Sequence, residues 1–134
     1  GNRAMVKPSE YTPHTAEIMQ RLFGQYLEES EIAVVTGGPE VGAAFSALPL
    51  DHLIFTGASS IGRLVMRAAS EKMVPVTLDL GGKSPVIIGD ECDIKLAAER
   101  IITGKPMNGG QLCVSPDYCF VHQSRVEAFI QRCK

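Results

Sequence analysis

The sequence has no tryptophan, and aromatic residues make up only 6% of its 134 residues. It also lacks an excess of charge, because 13 basic and 15 acidic side chains leave a formal net charge of −2. Proteins that bind nucleic acid or anionic membranes through electrostatics carry clustered positive charge, so we expect neither partner. No apolar run approaches the roughly 20 residues of a transmembrane helix, and the first residues do not resemble a signal peptide.

Cysteine is present, but not in the pattern of a metal site. Cys92, Cys113, Cys119 and Cys133 are separated by 21, 6 and 14 positions, with no Cys-x-x-Cys pair and no matching pair of histidines. Structural zinc sites depend on such pairs, so we predict no metal centre. Reduced thiols are typical of a reducing compartment, which indicates a cytoplasmic protein.

Short strands alternate with helices along the chain. Runs of β-branched residues predict the strands, and apolar residues three or four positions apart predict the helices. This order indicates βαβ units, a parallel sheet and the α/β fold class. The predicted strands cover residues 4–7, 32–35, 52–56, 76–80, 85–88 and 118–122.

Several residue types predict where helices begin and end. Thr12 and Asp93 are expected to be N-caps, and Ser124 with Glu127 matches a capping box. Gly104 occupies the position that commonly follows the last turn of a helix.

The segment Gly57-Ala58-Ser59-Ser60-Ile61-Gly62 connects a predicted strand to a predicted helix. Glycines there let the backbone approach a phosphate, and a helix N-terminus favours an anion. The segment matches neither G-x-G-x-x-G nor a P-loop. A tight strand-to-helix connection without a ligand therefore stays open as the alternative.

Four further residues are candidates for chemistry. Cys113 lies in a glycine-bearing loop, where a thiol can be a nucleophile or a partly buried structural group. Asp79 projects from the polar side of a predicted strand, where it can be a general base, a structural hydrogen-bonding group or simply exposed. Lys7 and Glu10 follow the first strand and can bind ribose hydroxyls or form a surface ion pair.

Taken together, four segments resemble successive motifs of the aldehyde dehydrogenase superfamily, in the same order and at similar spacings. The segment that continues from Cys113, Cys113-Val114-Ser115-Pro116-Asp117-Tyr118, resembles the branch that contains coniferyl aldehyde dehydrogenases. The four segments are Val6-Lys7-Pro8-Ser9-Glu10, Phe55-Thr56-Gly57-Ala58-Ser59-Ser60-Ile61-Gly62-Arg63, Leu78-Asp79-Leu80-Gly81-Gly82-Lys83-Ser84-Pro85 and Asn108-Gly109-Gly110-Gln111-Leu112-Cys113.

The resemblance implies a Rossmann-like, parallel-sheet cofactor domain that runs into the start of an α/β catalytic domain. Residues 1–81 would form the later part of the NAD-binding domain, and residues 82–134 would open the catalytic domain. The chain would then be the middle of a longer, homo-oligomeric enzyme. As an isolated segment it is expected to expose apolar surface and to turn over little or no substrate.

The resemblance also implies roles for individual residues. Cys113 would attack the aldehyde as a thiolate, and Asp79 would activate the water that releases the acid. Lys7 and Glu10 would hold the adenine ribose of the cofactor. NAD is favoured because Glu10 would repel a 2′-phosphate, and NADP is the alternative cofactor. The remaining cofactor-binding residues would be Gly57, Ser59, Gly62, Leu80 and Gly81.

Two positions depart from the family pattern. Asp79 stands where the family usually has Glu, so its carboxylate is one methylene shorter, and Ala58 stands where relatives commonly have Ser. The expected function is NAD(P)-dependent oxidation of an aldehyde to a carboxylic acid through a thiohemiacetal and a thioester. The substrates would be coniferyl or other aromatic or aliphatic aldehydes. The alternative is a non-catalytic nucleotide-binding fragment or a degenerate relative.

Overall fold

The computed structural model describes residues 1–134 and contains six β-strands and five α-helices. The strands are β1 (Ala4–Val6), β2 (Ile32–Val34), β3 (Leu53–Gly57), β4 (Val76–Leu80), β5 (Ser84–Ile88) and β6 (Pro116–Val121). The helices are α1 (Pro13–Tyr26), α2 (Pro39–Ser46), α3 (Ser59–Ser70), α4 (Ile94–Gly104) and α5 (Val126–Cys133).

The strands join in three pairs, β1 with β2, β3 with β4, and β5 with β6. Helices α1, α3 and α4 each connect the two strands of one pair. The first and third pairs are parallel, as expected for βαβ units. The α/β class is therefore confirmed, with backbone hydrogen bonds forming three pairs rather than one continuous sheet.

The chain divides into two compact units. The first unit consists of Gly1–Thr56 and Ser60–Leu78, and the second unit consists of Gly57–Ser59 and Asp79–Lys134.

The core of the first unit forms around β3 and α3. Leu53, Val65, Ala69 and Val74 are buried, and Ala69 has no exposed surface. Val65 and Ala69 are four positions apart on α3, so they lie on the same face of that helix. The partly buried side chains packed against them are Phe45, Leu50, Phe55 and Val76.

The second unit is built on β5, β6, α4 and α5, and its buried apolar residues are Ile88, Ile94 and Ala98. The register pairs Pro85 with Tyr118 and Ile87 with Phe120, which places these four side chains on one face of the strand pair. All four are exposed, Ile87 by 78% and Phe120 by 59%. We call these four residues the apolar face, and they confirm the expectation of exposed apolar surface.

Two of the predicted helix ends differ from the structure. Thr12 is the N-cap residue of α1 as predicted, although its hydroxyl donates to the carbonyl oxygen of Ser9 at 3.3 Å and makes no capping hydrogen bond. Gly104 is the last residue of α4 rather than the residue after it, because Lys105 keeps a right-handed helical conformation.

The capping box at Ser124 and Glu127 was also wrong. Residues Gln123–Arg125 form a short 3₁₀ turn, and α5 begins after it without a side-chain cap. The Ser124 hydroxyl instead hydrogen-bonds to Nδ1 of His122 at 2.8 Å. Asp93 does cap α4, since its carboxylate accepts from the backbone N–H of Lys95 at 2.9 Å and of Leu96 at 3.2 Å.

None of the helices combines the length and the apolar composition that crossing a bilayer requires. No group of three or more His, Cys, Asp and Glu side chains is arranged to hold a metal ion.

Candidate active site

Cys113 occupies the second position of a tight turn in the second unit. The backbone N–H of Ser115 donates to the carbonyl oxygen of Leu112 at 3.0 Å, which closes a β-turn over residues 112–115. The thiol of Cys113 is free and its residue is exposed. The backbone N–H of Cys113 makes no hydrogen bond within the second unit, so it is available to bind an oxyanion at the same residue.

The chain reaches this turn through three consecutive residues in the left-handed conformation. Asn108, Gly109 and Gly110 have φ values of 50°, 64° and 78°. Glycine adopts this conformation without steric cost, and asparagine tolerates it better than most residues. The Asn-Gly-Gly segment thus forms the bend Met107–Gly110 because few other residue types could.

Two serines join the turn at residues 112–115 to neighbouring segments. The Ser84 hydroxyl on β5 donates to the carbonyl oxygen of Cys113 at 3.0 Å. The Ser115 hydroxyl is nearly buried and donates to the carbonyl oxygen of Lys105 at 3.4 Å, beside the C-terminus of α4. Sequence reasoning gave neither serine a role, because contacts between residues 29 and 10 positions apart leave no local signal.

Asp79 lies near the end of β4, with its side chain exposed as the alternation of the strand predicts. The carboxylate makes no hydrogen bond and no ion pair within the second unit, so a structural hydrogen-bonding role there is not supported. Leu80 ends the strand and is half-buried, and Gly81 follows it in an exposed position where an added Cβ would touch nothing.

In the first unit, Lys7 and Glu10 form an ion pair at the carboxyl end of β1. The ammonium nitrogen of Lys7 lies 3.0 Å from Oε2 of Glu10 and donates to the carbonyl oxygen of Pro8 at the same distance. A hydrogen bond from the backbone N–H of Glu10 lowers the pKa of its carboxyl, and the bond from Lys7 lowers this pKa further. The carboxylate is therefore ionised at neutral pH.

The Lys7 side chain is held in place, with only 13% of its surface exposed. An added Cβ at Gly42 in α2 would lie 3.5 Å from Cε of Lys7, so the lysine stem crosses the helix where it has no side chain. A charged donor beside a charged acceptor at a strand's carboxyl end is suited to binding vicinal hydroxyls.

The remaining predicted cofactor residues lie around the start of α3. Gly57 is the last residue of β3, Ser59 is the first residue of α3 and is exposed, and Gly62 is buried in the first turns of that helix. The structure thus brings Lys7 and Glu10 into direct contact, and it places Asp79 and Cys113 in the same unit.

A sequence model of the aldehyde dehydrogenase family matches residues 1–134. The chain is 55% identical over 131 residues to a probable coniferyl aldehyde dehydrogenase of Caulobacter vibrioides, covering 98% of this chain and 27% of that protein. It is 48% identical over 130 residues to the coniferyl aldehyde dehydrogenase of a Pseudomonas species, covering 97% and 27%.

Solved structures give the same relationship. The substrate-bound state of AldH from Staphylococcus aureus superposes with a TM-score of 0.96 at 45% identity, covering 99% of this chain and 29% of that one. An aldehyde dehydrogenase of Mycobacterium tuberculosis in complex with NAD⁺ gives a TM-score of 0.89 at 36% identity, covering 98% and 28%. The chain therefore spans between 27% and 29% of the length of these proteins.

Proposed function

Because the chain belongs to the aldehyde dehydrogenase family, we propose that the protein oxidises an aldehyde to a carboxylic acid with NAD(P). We assign residues 1–81 to its cofactor-binding domain and residues 82–134 to the start of its catalytic domain. The observation that carries the proposal is the turn at residues 112–115, which presents an exposed free thiol and an unengaged backbone N–H at the same residue.

This arrangement supports addition of a thiolate to a carbonyl group. The sulfur of Cys113 attacks the aldehyde carbon, a C–S bond forms, and the carbonyl π electrons move to oxygen. The N–H of Cys113 donates to the resulting oxyanion, and a donor in such a position can lower a barrier by about 3 kcal/mol. When bound, NAD(P) supplies the two-electron oxidant that converts the thiohemiacetal to a thioester.

Hydrolysis of the thioester requires a base, and Asp79 is the carboxylate that we assign to it. Its carboxylate is exposed and makes no competing hydrogen bond within its unit, so it can take a proton from water. Water then adds to the thioester carbon, the C–S bond breaks, and the acid leaves with Cys113 restored. Because Asp is shorter than Glu, a second water between Asp79 and the attacking water can restore the reach.

The pair Lys7 and Glu10 in the first unit is assigned to the ribose of NAD. Lys7 and Glu10 provide a donor and an ionised acceptor 3.0 Å apart, which fits the two hydroxyls of a ribose. A 2′-phosphate at the same place would face the negative charge of Glu10, so NAD is favoured over NADP. Gly57, Ser59, Gly62, Leu80 and Gly81 are assigned to the rest of the cofactor.

For the substrate we propose coniferyl aldehyde or a related aromatic aldehyde. Two relatives that match nearly the whole chain, at 55% and 48% identity, are named probable coniferyl aldehyde dehydrogenase and coniferyl aldehyde dehydrogenase.

The test is to express the complete gene product that contains this sequence and to follow NADH formation with coniferyl aldehyde and NAD. Ferulic acid and NADH should appear in equal amounts, and coniferyl aldehyde should give a higher kcat/KM than acetaldehyde. Absence of aldehyde-dependent NADH with aromatic and aliphatic aldehydes alike would overturn the function, whereas a preference for acetaldehyde would overturn only the substrate.

A further inference from the structure

We propose that Ser84 is a positioning residue that anchors the Cys113 carbonyl to β5 and thereby fixes where the turn at residues 112–115 holds the Cys113 thiol and N–H. This inference rests on the proposed function, because it concerns the same turn. Ser84 need not touch substrate or cofactor to act in this way. Its hydroxyl donates to the backbone of Cys113 rather than to the thiol.

The contact is built into the end of the strand pair. Ser84 is the first residue of β5, is half-buried, and lies opposite Pro116 at the start of β6. The register shifts between Ser84 and Pro85, so the ladder is irregular at the point where the turn at residues 112–115 leads into β6. Lys83 forms an ion pair with Asp117 at 3.2 Å, which joins the two strands at the same place.

The Ser84 hydroxyl is hydrogen-bonded to the peptide of the turn that can rotate. In a β-turn closed between residues 112 and 115, the central peptide joins Cys113 to Val114, and its carbonyl oxygen is the atom that Ser84 holds. Type I and type II turns differ mainly in the rotation of this central peptide. No hydrogen bond of the turn's own backbone fixes that carbonyl, so the Ser84 hydroxyl supplies the constraint from outside the turn.

Rotation of this peptide about the Cα–C bond of Cys113 turns the carbonyl away from Ser84 and leaves the N–H and side chain of Cys113 unturned. It would, however, release the turn from β5, so that the turn could shift as a whole together with the thiol and the N–H that it carries. A small misplacement of reacting groups can lower a rate by about 100-fold. Because Cys113 is exposed, water can take the place of a missing hydroxyl, and the folded state should lose little. The catalytic effect is thus expected to exceed the structural effect.

The experiment compares Ser84→Ala and Ser84→Thr with a matched control, Ser70→Ala, in the complete gene product. Ser70 also donates its hydroxyl to a backbone carbonyl, that of Arg67 at 2.7 Å, but it lies at the end of α3 in the first unit. The measurements are kcat and KM with coniferyl aldehyde and NAD, the thermal midpoint, and the pH profile of Cys113 alkylation by iodoacetamide.

We expect Ser84→Ala to lower kcat by about 10- to 100-fold. It should leave the KM for NAD and the midpoint of the alkylation profile unchanged, since alkylation needs the thiolate but no oxyanion donor. Ser84→Thr keeps the hydroxyl and should restore most of the activity, and Ser70→Ala should behave as the unsubstituted protein.

An unchanged kcat in Ser84→Ala would overturn the inference while leaving the proposed function intact. The inference would also be wrong if Ser84→Thr did not restore kcat, or if the fall in kcat of Ser84→Ala were matched by a fall in its thermal midpoint. Either result would make Ser84 a structural residue. If the unsubstituted protein oxidises no aldehyde, the proposed function fails and this inference fails with it.

Discussion

The ammonium group of Lys7 lies 3.0 Å from the carboxylate of Glu10, and Lys7 directly follows the end of β1 with Glu10 three residues later. The pair holds one positive and one negative charge at the strand end to which we assign the ribose of the cofactor. The proposed preference for NAD depends on the negative charge of Glu10.

Removing the charge of Glu10 should relax the preference for NAD. In Glu10→Gln, the ratio of kcat/KM for NADP to that for NAD should rise roughly tenfold, because a 2′-phosphate no longer meets a nearby negative charge. Glu17→Gln is the matched control, since Glu17 is also an exposed carboxylate paired with a residue three positions away. The cofactor assignment would be wrong if Glu10→Gln left the ratio where it was.

Cys113→Ala should abolish aldehyde oxidation, because the C–S bond can form at no other residue of the turn. Steady-state NADH formation checks this, with circular dichroism to show that the fold is retained. Cys92→Ala serves as the control, since Cys92 is an exposed free thiol directly before the N-cap of α4. Activity retained in Cys113→Ala would assign the nucleophile elsewhere.

Asp79→Asn should separate the two halves of the reaction. The first NADH should form in a burst of one equivalent per site, and the steady rate that follows should fall by about 100-fold, because the base that activates water is missing. The thioester that accumulates in Asp79→Asn should appear in the intact-protein mass spectrum. It should not accumulate in Asp79→Glu, which keeps a carboxylate at this position. A uniform loss of burst and steady rate would contradict this role for Asp79.

Two glycine substitutions should change stability in opposite directions. At Gly37, φ is 151° and an added Cβ would lie 2.8 Å from Cβ of Val41, so Gly37→Ala should cost about 1–3 kcal/mol. At Gly24 in α1, an added Cβ would meet nothing within 4 Å, so Gly24→Ala should stabilise by about 0.5–1 kcal/mol. Urea unfolding measures both changes. A midpoint for Gly37→Ala equal to that of the unsubstituted protein would contradict the packing at Gly37.

The thiol of Cys119 should react more slowly in the folded protein than in the unfolded chain, although the residue is exposed. Partial burial raises the pKa of this thiol above the usual 9.0, and the neighbouring Cys133 raises this pKa further. Less thiolate is therefore present at a given pH than after unfolding, and any stability linked to this group is lost as the pH rises above the unfolded pKa. Alkylation followed by peptide mass spectrometry should show faster labelling of Cys119 in urea, and equal rates would contradict the shift.

Local signals in the sequence predicted most of the secondary structure. The sequence predicts Asp93 as an N-cap, and the structure confirms it, because the carboxylate accepts from free N–H groups of its own helix. The sequence also predicts Ser124 as a cap, but its hydroxyl is hydrogen-bonded to His122 instead. The difference between these two residues depends on one neighbouring side chain, which a motif of fixed spacing does not include.

The candidate site shows a similar division. The glycine-bearing loop indicates Cys113 as a candidate from sequence alone, and the position of Lys7 and Glu10 after the first strand allows an ion pair as one of two alternatives. The left-handed run at residues 108–110 is explained by its residue types only once the φ values are known. The contact of Ser84 with Cys113 depends on the pairing of β5 with β6, so it follows from tertiary structure alone.

The apolar face of Pro85, Ile87, Tyr118 and Phe120 also bears on how these residues behave in a concentrated solution. Its aromatic members pack edge to face, with ring centroids 5.4 Å apart, so the exposed surface is an ordered hydrophobic patch rather than a set of scattered side chains. A net charge of −2 provides little electrostatic repulsion between molecules. Produced as these 134 residues alone, the polypeptide should have low colloidal stability, and its preparation favours dilute, low-salt conditions.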